Sequence, residues 1–584
     1  MRKRISRSFF FVVVLCAVAV HGQDAAKNAD ADKVKAERRA RLVAAILREA
    51  DELALPENRA LISARLGAAI WKEDPERAGT LFRNAVASLI SAQDLAEANK
   101  NLATRSHDLL NSQSVRPTVL NSIAPSDAEF ALESLYRSRP VAIQRAIAQR
   151  VPGTKINNAG GNNIYLAQQE INLEQRFIRM VAEQKPQRSI ELLKESIKKQ
   201  LSSETLAMLK KLWEKDPAAA NELANGVVDR LISASFTGTN NQVNHELLQV
   251  SNAILSEFVR ERPPEEKGIV FDESRIRSLA QKLIGVYIEN GPAMGYIPVE
   301  QLEPIAKRFV SPALLAQLKK TAESTRVGFG HARHLQQDPE YAKLIASNPT
   351  ADAMLAEAKK YSPETRRSLY QNAANKLSDA GQYERALALL NEQFEDDALE
   401  NAISALNWYH AHLLVQRGDF DGAEAMMMQF NDGNRISALI SLATTIYNRD
   451  QKENRSRANG ILQRTRSLMP EKPETSTEFS QIFQLIAVMA TIEPNDAFRN
   501  FEPLIGRLNE LTEAWAVVNA FQGGNIRQGE YSMASGYNLG VFIDPSMLNT
   551  LAQNDFSRTM TMIDGLSRRE MRLTIWMGFL ESGL

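Results

Sequence analysis

One helical motif occurs twice in this chain, and it constrains the fold more than any other feature of the sequence. The segments YQNAANKLSDAGQYERALALL and WYHAHLLVQRGDFDGAEAMMM share the pattern A-x-x-L-x-x-x-G-x-[YF]-x-x-A. The fixed positions are Ala374, Leu377, Gly381, Tyr383 and Ala386 in the first copy, and Ala411, Leu414, Gly418, Phe420 and Ala423, 37 residues later, in the second. A helix–turn–helix unit repeated at such an interval predicts helical pairs that stack side by side.

Each residue type that the two copies share has a physical reason. Gly381 and Gly418 supply the left-handed turn that a side chain would resist, the aromatic residue fills the junction between two helices, and alanine permits close approach. With these residues the two copies resemble tetratricopeptide repeats over about residues 365–430. They depart from that family where Gln393 and Phe430 replace its second small residue, and where its closing proline is absent.

Helix starts recur along the rest of the chain. A capping residue followed by proline, which suits the first helical position, stands at several points. These pairs are Asp74-Pro75, Asp216-Pro217, Ser311-Pro312, Asp338-Pro339, Asn348-Pro349, Ser362-Pro363 and Asp544-Pro545. Strand signals are confined to 268–274 and 295–301, both too short to begin a sheet. The sequence therefore predicts an all-α fold, an α-solenoid of stacked antiparallel helical hairpins that is tetratricopeptide-like.

The N-terminus has the form of a secretory signal peptide. A basic start precedes an apolar run at 9–20, and small residues lead up to a cleavage position after Gly22. That run is shorter than the roughly 20 residues needed to span a bilayer, so we expect no stable membrane insertion after cleavage. Lipidation at Cys16 fits less well, because no small residue precedes it. The expected location is periplasmic or secreted, in a bacterium.

The order of helical stretches and loops predicts four segments. These are a signal peptide at 1–22, an N-terminal helical hairpin block at 23–150, a middle helical block with longer loops at 151–335, and a tetratricopeptide-like helical repeat block at 336–584. Gly- and Asn-rich loops near 151–163 and 237–244 motivate the middle block. One continuous superhelix remains the alternative, since repeat arrays bury surface only between neighbours.

Several classes of function lack support in the composition. The chain has 70 basic and 70 acidic residues, so it offers no electrostatic footprint for nucleic acid. Its single cysteine, Cys16, leaves with the signal peptide. His331 and His334 would share a helix face, but no third ligand completes a metal site. No phosphate-binding loop or nucleophile motif occurs, so we expect no cofactor, no metal and no catalytic residue.

The resemblance to tetratricopeptide repeats implies a binding surface. In that family the first helix of each unit lines a concave groove that holds peptide segments. Matched positions would place Gln371 and Asn375 beside Trp408, His412 and Gln416. Trp is a common interface anchor, and amides suit a peptide backbone. The hypothesis is an exported non-catalytic scaffold for protein or peptide partners, although Trp408 could instead belong to the core.

An enzyme is the alternative interpretation. Helical α/α hydrolases and lyases that act on polysaccharide also stack helical hairpins, and their site would lie in the looped middle block. Asp272 and Glu273 would then be the candidate carboxylates. Two carboxylates facing one cleft about 5–10 Å apart would identify that reaction.

Overall fold

A computed structural model describes residues 32–98, 114–148, 161–236, 245–261, 263, 265–290, 299–326, 339–521, 526–533 and 545–584. The predicted signal peptide and its cleavage after Gly22 lie outside these residues and stay a prediction. No helix within the described ranges is both long and apolar enough to cross a membrane. The described chain divides into two compact units, unit A from 53–330 with 532–535, and unit B from the remaining residues. The predicted block boundaries near 150 and 335 stay a prediction.

Unit A consists of helices within the described residues. They are α2 Pro56–Ile70, α3 Pro75–Ala98, α4 114–123, α5 Ala128–Arg137, α6 Val141–Ala148, α7 Gly161–Gln184, α8 Pro186–Lys199, α9 Thr205–Trp213, α10 Pro217–Ser233, α11 His245–Val259, α12 Glu273–Asn290, α13 Val299–Phe309 and α14 Pro312–Arg326.

Unit B contains α1 at 32–51 together with the helices of the C-terminal half. Those are α15 Pro339–Ala346, α16 Ala351–Ala358, α17 Pro363–Asp379, α18 Tyr383–Gln393, α19 Asp396–Arg417, α20 Phe420–Met427, α21 Asp432–Arg449, α22 Arg455–Ser467, α23 Ser476–Ile492, α24 Pro494–Phe501, α25 Leu504–Phe521, α26 Pro545–Asn554, α27 Phe556–Asp564 and α28 Arg569–Ser582. A two-stranded hairpin, β1 Ile526–Arg527 and β2 Glu530–Tyr531, interrupts them.

Consecutive helices pack in adjacent pairs in both units, which confirms the predicted all-α class. In unit A, α2 packs closely on α3, and Trp71 stacks on Phe82 at 5.6 Å between ring centroids. A Cβ atom on Gly67 would lie 2.7 Å from Phe82 Cε1, so a larger residue would force these helices apart. The hairpin predicted around Asp74 and Pro75 is therefore present.

Predicted caps are confirmed at the helix starts where the capping side chain is described. Asp74 Oδ1 accepts from the Arg77 amide at 3.0 Å, and Asp216 Oδ1 accepts from Ala219 at 3.1 Å. Ser362 caps α17 in the same way. The prediction is wrong at Asn348, because Thr350 caps α16 instead. Asn348 adopts a left-handed φ of 49°, and its amide oxygen accepts from Lys376 at 2.6 Å.

The two copies of the motif end their first helices in the same way. Gly381 has φ 75° and Gly418 has φ 83°, as the left-handed turn requires. The amide after Gly381 donates to the Leu377 carbonyl at 2.8 Å, and the amide after Gly418 donates to the Leu414 carbonyl at 3.0 Å. The 37-residue repeat is thus a repeat of structure as well as of sequence.

The β-hairpin was not predicted. Ile526 pairs with Tyr531, and Gln528 and Gly529 form the turn with φ 50° and 78°. Positive φ at both turn residues is typical of a tight two-residue hairpin connection. The segment at 268–272 forms no strand, and α12 begins directly after it. The start of the other strand-like segment, 295–298, lies outside the described residues.

Candidate partner-binding face

The repeat region of unit B separates two kinds of helix. First helices α17, α19, α21 and α23 alternate with second helices α18, α20, α22 and α24, and each first helix packs on the second helix that follows it. Each first helix also presents one strip of accessible residues, spaced three or four apart along the helix. We call the four strips together the first-helix face.

The strip of α17 comprises Ser368, Gln371, Asn375 and Asp379, all half-buried. Gln371 Nε2 and Asn375 Oδ1 are enclosed by protein yet have no hydrogen-bond partner within the described part of the chain. An enclosed amide atom without a partner costs about 1–3 kcal/mol. Among the described residues, no hydrogen bond at Gln371 Nε2 or at Asn375 Oδ1 holds these two side chains in place.

The strip of α19 comprises Ala405, Trp408, His412 and Gln416, all exposed. Trp408 is 40% exposed. Its ring lies edge-to-face with that of His412, 5.0 Å between centroids, and stacks on Phe430 at 6.3 Å. The structure thus brings Trp408 and His412 into contact and fixes the orientation of the indole, while leaving much of it open to solvent.

A set of hydrogen bonds that the sequence analysis missed joins α17 to α19. Tyr409 Oη donates to Asp379 Oδ1 at 2.7 Å. Burial, and then the Asp379 carboxylate, raise the pKa of Tyr409 to about 12, so the phenol remains a donor at neutral pH. Beneath it, His410 Nδ1 lies 2.8 Å from Ser378 Oγ. The members of the two pairs are 30 and 32 residues apart, so local sequence patterns carry no signal for either pair.

The strips of α21 and α23 continue the same chemistry. Along α21 the strip comprises Ser441, Thr445 and Asn448, and along α23 it comprises Gln484 and Val488. The hydroxyl and amide groups among these side chains can both donate and accept hydrogen bonds, and none of them is ionised at neutral pH. From Ala405 to Val488, no named member of the first-helix face has a carboxylate or a strongly basic group.

The second helices carry exposed ion pairs. Arg385 of α18 pairs with Asp352 of α16 at 2.5 Å, and Arg464 of α22 pairs with Glu424 of α20 at 2.7 Å. Arg457 similarly pairs with Asp421. Exposed ion pairs such as these contribute about 0–1 kcal/mol each. These pairs show where the charged side chains lie. Many are on the second helices, and few are on the first-helix face.

The structure shows no pair of facing carboxylates at Asp272 and Glu273, the candidate residues of the enzyme alternative. Asp272 Oδ1 accepts from the Ser274 hydroxyl and from the amides of Ser274 and Arg275, as a helix cap does. The Ser274 hydroxyl and these amides lower the pKa of Asp272, which is opposite to what a general acid needs. Glu273 is exposed and lies 3.5 Å from Arg277.

A buried charged pair in unit A, Arg116 and Glu170, is held by contacts within that unit. The Arg116 guanidinium donates to both oxygens of Glu170, to Ser138 Oγ and to the Leu135 carbonyl. Arg116 and Glu170 are each 2% exposed. Among the described residues there is no cluster of three His, Cys, Asp or Glu able to hold a metal. His331 and His334 lie outside the described residues.

No family model matches this chain. No curated protein matches it either. A search of solved structures finds one described as "Circular tandem repeat protein with novel repeat topology and enhanced subunit contact surfaces", at 12% sequence identity, covering 93% of this chain and 97% of that chain. The TM-score is 0.13. The assignment of the fold therefore rests on the helices described above.

Proposed function

We propose that this protein is an exported, non-catalytic helical-repeat scaffold that binds protein or peptide partners in the cell envelope through its first-helix face. One observation supports this most directly. The side chains of Trp408, His412 and Gln416 are exposed and form no hydrogen bond within the described ranges. Their polar atoms are therefore open to a partner, although the Trp408 ring contacts His412 and Phe430.

The Trp408 indole supplies a physical reason for binding at this place. Its contacts with Phe430 and His412 hold the ring in one orientation before a partner arrives. A large side chain that is already ordered loses little conformational entropy when it binds. Trp is also among the residues that dominate interface energies.

The location in the envelope rests on the sequence. The basic and apolar N-terminal segment has the form of an export signal. After Gly22 no cysteine remains, so burial in helical pairs would hold the mature protein together without disulfides.

A double variant tests the proposal. Trp408→Ala with His412→Ala is produced in the native host, and the proteins that co-purify with it from envelope extract are quantified against wild type. Leu468→Ala is the matched control, because Leu468 is 41% exposed at the end of a second helix. We expect a specific partner to fall about tenfold or more with the double variant and to be unchanged with the control.

Circular dichroism and thermal unfolding of the same proteins accompany this test. The proposal requires that the double variant keep its helical content. If it unfolds, Trp408 and His412 belong to the structure rather than to a binding site. If it stays folded and the co-purifying proteins are unchanged, the first-helix face is not where partners bind.

A further inference from the structure

We infer that helix α25 is a self-association surface, and that the exposed side of its C-terminal half binds the same helix of a second copy of this chain in antiparallel orientation. That side consists of Ala514, Val517, Val518 and Phe521, which we call the α25 strip. The inference goes beyond the proposed function and does not depend on it, because the first-helix face lies on other helices.

The α25 strip is exposed although it is apolar. Phe521 is 92% exposed, Val517 71% and Val518 54%. Together with Ala514 they have the i, i+3, i+4, i+7 spacing of one side of a helix. Apolar residues scattered singly are normal on a protein surface, whereas a contiguous exposed group of them marks an interaction site.

The other side of α25 is already packed within unit B. Its buried side chains recur every four residues, at Leu504, Leu508, Thr512 and Ala516. Asn509 Nδ2 donates to the Gly565 carbonyl at 2.8 Å, and Asn509 Oδ1 accepts from the Ser567 amide at 2.8 Å. Rotating the helix to bury the α25 strip would break both bonds and expose the buried row. The strip therefore needs a partner from outside to be covered.

The sizes of the four side chains make the strip complementary to itself. In a two-fold antiparallel crossing centred between Val517 and Val518, each of these valines faces the other valine of the second copy. Phe521 then faces Ala514 of the second copy, so the largest side chain lies against the smallest at both ends. Packed helices interdigitate in this way. A parallel crossing would instead place Phe521 on Phe521 and leave a gap between the alanines.

The charges near the strip are compatible with a second copy. Arg507 Nη1 lies 2.8 Å from Glu510 Oε2, and Glu513 Oε2 lies 2.8 Å from Arg568 Nη2. Both glutamates are therefore compensated before a second copy arrives, and the contact opposes no unpaired charge.

A membrane surface is the competing occupant of an exposed apolar strip. Helices that lie on anionic membranes carry lysine and arginine on their polar side. From Leu508 to Phe521, α25 contains two glutamates and no basic residue. This charge pattern favours a second copy of the chain over a membrane.

The extent of the strip indicates a reversible dimer. A buried phenylalanine contributes about 150–250 Å², whereas stable specific interfaces bury about 1,200–2,000 Å² in total. Four side chains from each copy, of which one is aromatic, stay below that range, where transient contacts lie. We therefore expect monomer and dimer to exchange at micromolar concentrations.

Sedimentation velocity of the purified chain between about 1 µM and about 200 µM tests the inference. We expect a shift from monomer to dimer as concentration rises. Val517→Glu places two carboxylates at the centre of the contact and should raise the dimer dissociation constant about tenfold or more. Leu95→Glu is the matched control, because Leu95 is 56% exposed on α3, and it should leave the constant unchanged.

A pair of oppositely charged variants tests the orientation. Ala514→Glu and Phe521→Lys should each weaken the dimer when studied alone. Mixed in equal amounts, they should form a heterodimer about tenfold tighter than either homodimer, because the antiparallel crossing brings the two introduced charges face to face. A parallel crossing would hold these charges two helical turns apart and give little gain on mixing.

Several results would overturn the inference. These are a monomer at every concentration, a dimer that Val517→Glu leaves intact, or no gain when the two charged variants are mixed. Flotation of the wild-type chain with vesicles of neutral and anionic phospholipid, lost with Val517→Glu, would assign the strip to a membrane instead. Circular dichroism should be unchanged in every variant. Loss of helical content would show that the strip packs inside the protein, which would also overturn the inference.

Discussion

Arg449 Nη2 lies 3.1 Å from the carbonyl oxygen of Val415, so the last arginine of α21 caps the C-terminus of the preceding first helix, α19. Arg417, the last residue of α19, donates in the same way to the Asp379 carbonyl at the end of α17. Terminal carbonyls of a helix lack intrahelical partners and carry partial negative charge. Thus α19 stabilises the end of α17, and α21 stabilises the end of α19.

Replacing Arg449 tests this link. Arg449→Met removes the donors to Val415 and Gln416 and the cation above the Phe420 ring, 4.9 Å from its centroid. We expect a loss of about 1–2 kcal/mol in unfolding free energy, measured by urea unfolding. Arg455→Met, which breaks an exposed ion pair with Glu493, should cost about 0–1 kcal/mol. Equal losses for the two variants would show that capping adds nothing.

The two turn glycines make a matched pair. Alanine at either position must adopt a left-handed φ, which costs about 1–2 kcal/mol. A Cβ on Gly381 would meet no atom within 4 Å, whereas on Gly418 it would lie 3.1 Å from Arg449 Nη1. We expect Gly418→Ala to lower the thermal midpoint more than Gly381→Ala, because it also disturbs the cap. If neither substitution changed the thermal midpoint, both turns could adjust their backbone to accept alanine without cost.

Removing one partner of the buried pair Arg116 and Glu170 in unit A should destabilise the protein. Glu170→Gln leaves Arg116 buried with its charge uncompensated, and it removes a partner of Arg139 as well. We expect about 3–5 kcal/mol of destabilisation in chemical unfolding. Arg116→Met combined with Glu170→Leu should cost less than the single variant. A single variant that unfolds like wild type would argue against the buried pair.

From the surroundings of His410 we predict that the free energy of unfolding depends on pH. Burial, and then the Arg417 charge, lower the pKa of His410 below its ordinary 6.5, and its ring lies against Ser378 and Tyr383. Below that ordinary value the unfolded state takes up the proton more readily than the folded state. Stability should therefore fall as pH drops from about 7 through about 6.

The His410→Gln variant isolates that contribution. It should show a shallower loss of urea unfolding midpoint than wild type over the same pH interval, because the other titrating groups are unchanged. Parallel curves for the two proteins would contradict the assignment to His410.

Much of the fold could be predicted, because its determinants are local. Gly381 and Gly418 indicate left-handed turns, and Asp216 with Pro217 indicates a helix start. Each of these signals needs only a few neighbouring residues. Trp408 and His412 share a helix strip by spacing alone, so their contact also follows from the pattern.

Other features depend on residues far apart in the chain. The bond between Tyr409 and Asp379 depends on how two helices align, and the pairing of Glu49 with Arg572 at 2.7 Å connects α1 to α28. At Asn348 two cap candidates stand within three residues, and the one that does not cap the helix accepts instead from Lys376 in another helix. The strands of the β-hairpin are two residues long, too short for any periodicity.

Site-specific photo-crosslinking shows whether a partner binds at the first-helix face. A benzophenone amino acid is placed at position 412 on the first-helix face, or at position 468 at the end of a second helix, and cells are irradiated before the envelope is isolated. We expect a covalent adduct with a discrete partner from position 412 and none from position 468. No adduct at 412, or the same adducts from both positions, would contradict it.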